Sequence, residues 1–123
     1  MNKRHARIQT LRRLSIAGKE DTKMIRWTRS AKVSNAKNMP QAIQWAKEVA
    51  DFINKKYNVQ VSVYMDSFGE LGTIRWFCDY EDLASIEKLG KQLITDQEYL
   101  KRLSETGDLF TQGSVYDTAM QAI

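Results

Sequence analysis

The sequence predicts an α+β domain, a four-stranded antiparallel sheet that carries its helices on one of its two faces. Three stretches alternate apolar and polar residues, the period of two expected of strands that bury one face. Two longer stretches repeat apolar residues every three or four positions, which is the spacing of amphipathic helices. These patterns and a final strand signal follow one another in the order βαββαβ.

The first strand is predicted over residues 24–33, where apolar and polar residues alternate and Arg29 interrupts the apolar set. A helix is predicted next. Asn38 stands at the position of a cap, Pro40 occupies an early helical position, and Gln41 follows three residues after the cap. The apolar residues then recur at helical spacing: Ile43, Ala46, Val49, Ala50 and Ile53. We expect this helix to end near Lys56.

A β-hairpin is predicted next, formed by residues 59–65 and 73–78. The segment between them contains two glycines, Gly69 and Gly72, which adopt positive φ angles without a steric penalty and so allow the chain to reverse. In the second strand of the hairpin Trp76 lies on one face and Phe77 on the other. Apolar residues on both faces of a strand indicate that it is an interior strand of its sheet.

A second helix is predicted from Asp82 to Ile94, with Asp79 and Asp82 spaced as a cap and its partner. Residues 95–98 (Thr-Asp-Gln-Glu) form a capping box that begins a short third helix. The last strand is predicted over residues 109–116, interrupted by a bend at Gly-Ser. The pattern after this strand, up to the C-terminus, is compatible with either strand or helix.

Two split βαβ units with right-handed crossovers give the ferredoxin-like sandwich, in which the sheet order is 4-1-3-2 and both helices lie on one face. The other face is expected to carry Phe77 or Trp76, together with Tyr64 and Thr28. An aromatic surface of this kind exceeds what a monomer usually exposes. We therefore expect two copies to pair through it, sheet against sheet, as a homodimer.

Residues 1–23 differ in charge from the rest of the chain. They carry seven Lys and Arg against two acidic residues, whereas residues 24–123 carry twelve against thirteen, so this leader supplies the net charge of +4. Codons for residues 19–21 (Lys-Glu-Asp) can contain the purine run of a bacterial ribosome-binding site, at the usual distance from Met24. We hypothesise that the native product begins at Met24, which its intact mass would test. The alternative is a genuine basic arm that forms an amphipathic helix on an anionic membrane or a nucleic acid.

The cysteine and histidine content excludes several kinds of site. Cys78 is the only cysteine and His5 the only histidine. An internal disulfide, a Cys/His zinc site and a histidine-activated nucleophile are therefore unavailable, and a reducing cytoplasm is the expected compartment. No glycine-rich phosphate loop occurs. For the domain we expect no metal, no cofactor, and no nucleic-acid or membrane partner.

The features that carry a family resemblance are the Trp27 strand, the hairpin of residues 59–65 and 72–78, the helix start at residues 80–82, and residues 96–99 followed by a final strand. On these the chain resembles the dimeric α/β-barrel superfamily, specifically its small NIPSNAP-like and antibiotic-biosynthesis-monooxygenase-like members. The resemblance implies a cleft between helices and sheet, where relatives hold flat aromatic or haem ligands. It also implies that quinone-forming relatives use neither metal nor flavin. Haem-degrading relatives use an axial histidine, and this chain has none after His5.

Four residues are the candidate ligand contacts of that cleft: Arg29, Trp45, Tyr64 and Trp76. Arg29 lies among apolar neighbours and needs a partner if it is buried, for which we expect an acidic residue of the dimer mate ahead of a ligand. Both tryptophans also suit an ordinary core position. Tyr64 and Tyr99 are able to donate a phenolic hydrogen bond into a cleft, although packing is the default role of each.

Two functions follow from these observations. The favoured one is a small dimeric cytoplasmic protein that binds a hydrophobic or aromatic small molecule in the cleft, with no activity assigned. The alternative is a cofactor-independent monooxygenase acting on an aromatic or polyketide-like substrate, in which Arg29 stabilises the anion that forms. Because no catalytic constellation is complete in the sequence, the catalytic residues are left unassigned.

Overall fold

The computed structural model describes residues 24–123, so the leader with its predicted helix and the hypothesis of a start at Met24 lie outside the described residues. The elements in chain order are β1 (Ile25–Lys32), a 3-10 turn (Ala36–Asn38), α1 (Met39–Tyr57), β2 (Ser62–Met65), β3 (Thr73–Tyr80), α2 (Leu83–Ile94), α3 (Gln97–Ser104) and β4 (Tyr116–Gln121). No helix in this part of the chain combines the length and the apolar content needed to cross a bilayer.

The four strands form one antiparallel sheet in the order β2-β3-β1-β4. This is the predicted order read from the opposite edge, and the predicted ferredoxin-like α+β sandwich is confirmed. β1 and β3 occupy the centre of the sheet, as the apolar residues on both faces of β3 predicted. The edges are β2 and β4.

The register assigns each strand residue to one of two faces. Arg29 of β1 pairs with Trp76 of β3 on the face that the helices cover, which we call the helix face. Thr28 pairs with Phe77 on the opposite face, which we call the open face. Of the two alternatives for the open face of β3, Phe77 lies there and Trp76 does not.

The core forms where α1 packs on the helix face of β3. Ala46 is 0% exposed, and its small side chain lets the helix approach the sheet closely. Trp76 is 6% exposed and donates its indole N–H to the Ala46 carbonyl at 3.2 Å. Trp45 meets Trp76 edge to face at 6.2 Å between ring centroids, and Phe110 completes an aromatic cluster at 5.6 Å from Trp45.

One helix cap and the expected partner of another differ from the prediction. Asn38 makes no side-chain cap at α1, and Asn35 instead caps the preceding 3-10 turn by accepting from the Asn38 N–H. Asp82 caps α2 as predicted, accepting from the Ser85 N–H at 2.8 Å. Asp79 is not its partner, because its carboxylate is bound by Arg26 of β1. The carboxylate that the local spacing had assigned to the cap therefore forms a cross-strand ion pair instead.

The second strand is shorter than the predicted range, residues 59–65, and begins at Ser62. The Asn54 side chain explains this difference. Its amide oxygen accepts from the Val61 N–H at 2.7 Å, and its amide nitrogen donates to the Val61 carbonyl at 3.0 Å. Because a helix side chain satisfies both backbone groups of Val61, sheet pairing starts only after it.

The prediction of the last strand over residues 109–116 was wrong. Within that range Phe110 makes only an isolated bridge to Val33, and the segment crosses the end of β1, where Thr111 N–H donates to the Lys32 carbonyl at 2.7 Å. Gly113 turns the chain with a φ of 80°, and β4 follows at Tyr116–Gln121. All six residues of β4 are exposed, so this strand has no buried face of the kind that an alternating apolar pattern marks.

Candidate functional site

An ion pair on the helix face joins the central strand β1 to the edge strand β4. Arg29 donates from Nε to Oδ1 of Asp117 at 2.8 Å and from Nη2 to Oδ2 at 2.9 Å. The two residues are direct cross-strand partners, so the sheet register fixes this two-pronged geometry. The side chains remain 35% and 41% exposed. The pair is therefore part of a surface that solutes reach.

An aromatic residue lies on each side of this pair. Tyr99 of α3 accepts a hydrogen bond from Nη1 of Arg29 at 3.1 Å. The indole N–H of Trp27 reaches Oδ2 of Asp117 at 3.3 Å, and the Arg29 guanidinium stands 5.4 Å from the Trp27 ring centre. We call Trp27, Arg29, Tyr99 and Asp117 the Arg29 cluster. Tyr99 is 6% exposed and Trp27 only partly buried, so the cluster combines the indole surface of Trp27 with a balanced pair of charges.

The start of α3 holds Tyr99 in the cluster. Asp96, and not Thr95 of the predicted capping box, caps this helix and accepts from the backbone N–H groups of Glu98 and Tyr99 at 3.0 and 3.2 Å. The Tyr57 hydroxyl also donates to Asp96, which is the main reason that the pKa of this carboxyl falls to about 2. Asp96 is therefore charged at neutral pH and fixes the first turn of α3 over the sheet.

Both members of the ion pair are charged at neutral pH. The hydrogen bond to Asp117 raises the pKa of Arg29 above its ordinary value. Burial acts to raise the pKa of Asp117, but the hydrogen bonds and the charge of Arg29 outweigh it and hold the pKa below its ordinary value. The site is therefore ionised yet neutral overall.

The cluster retains hydrogen-bonding capacity towards a further group. Three of the five N–H donors of Arg29 are used by Asp117 and Tyr99. Oδ1 of Asp117 accepts one hydrogen bond from the described residues, and the Tyr99 hydroxyl accepts one while its own proton can be donated. The arrangement offers both donors and acceptors beside aromatic surface, which suits a polar substituent on a flat molecule.

Solved structures of other proteins share the fold of this chain, whereas its sequence finds no match. No protein-family profile and no curated protein matches the sequence. A NIPSNAP family protein from Agrobacterium tumefaciens strain C58, described as having unknown function, has a TM-score of 0.70 at 15% identity, over 84% of this chain and 91% of that one. A NIPSNAP-like domain protein from Burkholderia xenovorans has a TM-score of 0.67 at 14% identity, over 81% and 85%. The chain has a NIPSNAP-like fold.

A further similar structure comes from another bacterium. A Bacteroides fragilis protein described as dimeric and of ferredoxin-like fold has a TM-score of 0.60 at 14% identity, over 80% of this chain and 96% of that one. At such identities the likeness concerns the fold alone. The predicted resemblance to NIPSNAP-like proteins is confirmed at that level, and the site must be judged on its own geometry.

Within this NIPSNAP-like fold, one predicted ligand contact, Trp76, lies in the core, and another, Trp45, packs against it. Trp76 is the cross-strand partner of Arg29, but its indole N–H is already bound to the Ala46 carbonyl. Trp45 donates its indole N–H to the Arg102 carbonyl at 3.0 Å. The indole N–H groups of both rings are therefore satisfied within the protein.

Tyr64 lies on the other side of the sheet. It pairs with Arg75 of β3 and meets Phe77 edge to face at 5.2 Å, both on the open face. The prediction that Tyr64 shares one cleft with Arg29 was therefore wrong. Alternation along β2 had placed it on the open face, and that placement is confirmed.

The partner of Arg29 also differs from the expectation. An acidic residue of the dimer mate was expected, but Asp117 of the same chain binds the guanidinium. Sequence reasoning missed Asp117 because β4 was predicted too early in the chain. The only signal for it was indirect, since an arginine among apolar strand residues requires an acid somewhere on its own face.

The open face of the NIPSNAP-like sheet mixes aromatic and charged groups. Phe77 and Tyr64 lie on it as predicted, but Arg26 binds Asp79 at 2.8 Å there, and Arg75 likewise binds Asp66 at 2.7 Å. The expected mainly apolar surface is therefore crossed by ion pairs.

Two surface grooves lie elsewhere, between the end of α1 and the start of α3. Their volumes are about 430 and 600 Å³; polar and charged side chains line the first, and charged side chains dominate the second. Lys56 is held there by Asp96 and Glu98 at 3.0 and 3.1 Å, and Arg102 covers the Phe52 ring at 4.7 Å. None of the four predicted contacts lines either groove. Across residues 24–123 no three His, Cys, Asp or Glu side chains group as metal ligands.

Proposed function

We propose that this protein binds a hydrophobic or aromatic small molecule at the Arg29 cluster and acts as a homodimer. The observation that carries the proposal is the half-exposed pair of Arg29 and Asp117 flanked by Trp27 and Tyr99. Ligand sites typically combine aromatic surface with a few converging polar groups. This cluster has both, on the side of the sheet predicted to hold the cleft.

The exposure of β4 leaves the Arg29 cluster accessible to a ligand. Asp117 lies on the helix face of β4, yet every residue of that strand is exposed, so the helices leave this part of the sheet uncovered. A flat molecule at the Arg29 cluster would contact Trp27 and the guanidinium of Arg29. We propose Arg29 as the principal polar contact.

The homodimer is proposed through the open face. Tyr64 is 60% exposed on this face and meets Phe77 edge to face. Burying such aromatic surface against a second copy is favourable by roughly 25 cal/mol per Å². Tyr116 and Met120 of β4 add half-exposed surface to the same face. The ion pairs there are internally balanced, so two copies meet without strong like-charge repulsion.

Binding is favoured over the alternative, a cofactor-independent monooxygenase. Oxygenation of a phenolic substrate needs a cation that stabilises the developing anion. Arg29 is the candidate, but both oxygens of Asp117 already bind it. We therefore propose a binding function. If the protein consumed oxygen when supplied with a panel of phenolic compounds, the monooxygenase would be favoured instead.

Replacing Arg29 with methionine is expected to weaken binding of 2-naphthol by at least about tenfold, because one charge-assisted hydrogen bond is worth roughly 1.4 kcal/mol or more. Titration calorimetry on the full chain measures this. The stability loss should stay near 1 kcal/mol, since the pair is partly exposed.

Arg26→Met is the matched control. Arg26 binds Asp79 with the same two-pronged geometry and lies 5.3 Å from the Phe77 ring centre, but on the open face. It should bind 2-naphthol like the wild type. If Arg29→Met binds 2-naphthol as the wild type does, or if that variant alone unfolds, Arg29 is not a ligand contact.

A further inference from the structure

We infer that Asp117 makes the Arg29 cluster select uncharged, hydroxyl-bearing aromatic ligands and reject anionic ones. This inference rests on the proposed binding function, and it adds the chemical class of the ligand and the residue that sets it. The carboxylate takes the Nε and Nη2 edge of Arg29, which is the edge that a carboxylate or sulfonate ligand would otherwise occupy.

An anion therefore meets a site whose positive charge is already matched. To bind the same edge of Arg29 it must displace Asp117, which also gives up its hydrogen bond from Trp27. To bind beside the pair it must place a negative charge next to the carboxylate. Either route is opposed by like-charge repulsion or by an unpaired, partly buried carboxylate.

A neutral hydroxyl meets no such opposition. It can donate to Oδ1 of Asp117, which takes one hydrogen bond from the described residues, and accept from Tyr99 or from a remaining N–H of Arg29. The ring that carries the hydroxyl then lies against Trp27. Selectivity of this kind arises from a repulsive group built into the site as much as from an attractive one.

The same sheet contains a matched pair for comparison. Arg26 and Asp79 meet at 2.8 and 3.0 Å beside Phe77, as Arg29 and Asp117 do beside Trp27, but on the open face. Neutralising Asp79 removes the same charge from the chain without touching the Arg29 cluster. Any effect of overall charge on anion binding is therefore measured separately.

The test compares 2-naphthol with 2-naphthalenesulfonate at pH 7, by calorimetric titration of the full-length wild type, Asp117→Asn and Asp79→Asn. The wild type should prefer 2-naphthol by at least about tenfold. Asp117→Asn should lower that preference at least about tenfold by gaining affinity for the sulfonate, and Asp79→Asn should keep the wild-type preference. Asp117→Ser serves as a second charge-removing variant if the amide variant folds poorly.

Three outcomes would overturn the inference alone, provided that 2-naphthol still binds. These are a wild type that takes the sulfonate as tightly as 2-naphthol, an unchanged preference in both Asp117 variants, and an equal change in Asp79→Asn. If neither probe binds the wild type or the Asp117 variants, the proposed binding function falls and the inference falls with it.

Discussion

Replacing Trp76 with alanine is expected to lower the free energy of unfolding by about 3–5 kcal/mol, the range for removing a large buried aromatic side chain. Trp76 is 6% exposed, contacts Trp45 edge to face, and donates to the Ala46 carbonyl. The variant loses these contacts and leaves a cavity under α1. Urea denaturation at a fixed protein concentration, followed by circular dichroism, measures the change.

Trp27→Ala is the control for this prediction. Trp27 lies on the same face of the same sheet, but it is only partly buried and its indole N–H bonds to a half-exposed carboxylate. Its loss should cost clearly less stability while affecting ligand binding more. Equal losses for the two variants would show that Trp76 is not the centre of the core.

Replacing Phe77 with arginine is expected to raise the dissociation constant of the proposed dimer by at least about 100-fold. Phe77 lies on the open face beside Arg26, so the variant adds a third cation near Arg26 and Arg75. In a twofold interface the unpaired charge occurs twice, and an uncompensated buried charge costs roughly 3 kcal/mol or more. Sedimentation equilibrium over a range of concentrations measures the constant.

Leu83→Arg is the control, because it adds the same positive charge at a position away from the sheet. Leu83 is exposed at the start of α2, and this variant should dimerise like the wild type. A wild-type protein that is monomeric at micromolar concentration and low salt would contradict the proposed dimer. So would a Phe77→Arg variant that associates as the wild type does.

The alternating strands and capped helices could be predicted because their signals are local. The period of two in β1 and β3 comes from burying one face, and the capping side chains of α2 and α3 are within three residues of the groups that they bind. Together with the handedness of crossovers these signals determine the order of the sheet. The fold therefore followed from short-range patterns.

The Arg29 cluster could not be predicted in the same way. Asp117 is 88 positions from Arg29, and their contact depends on how β4 pairs with β1. β4 is an exposed edge strand without a buried face, so burial does not specify its register. Tyr99 was identified as a hydrogen-bonding residue, but its position over Arg29 depends on the packing of α3.

The most direct test of ligand binding at the Arg29 cluster is a two-dimensional ¹H–¹⁵N spectrum of the three indole N–H groups during titration with 2-naphthol. The chain has three tryptophans, and each indole N–H has a different partner: Asp117 for Trp27, the Arg102 carbonyl for Trp45, and the Ala46 carbonyl for Trp76. The Trp27 signal should shift most, in a saturable manner, and should stop responding in Arg29→Met. A Trp27 signal that stays in place while 2-naphthol binds, or while another indole signal shifts, would contradict a site at this cluster.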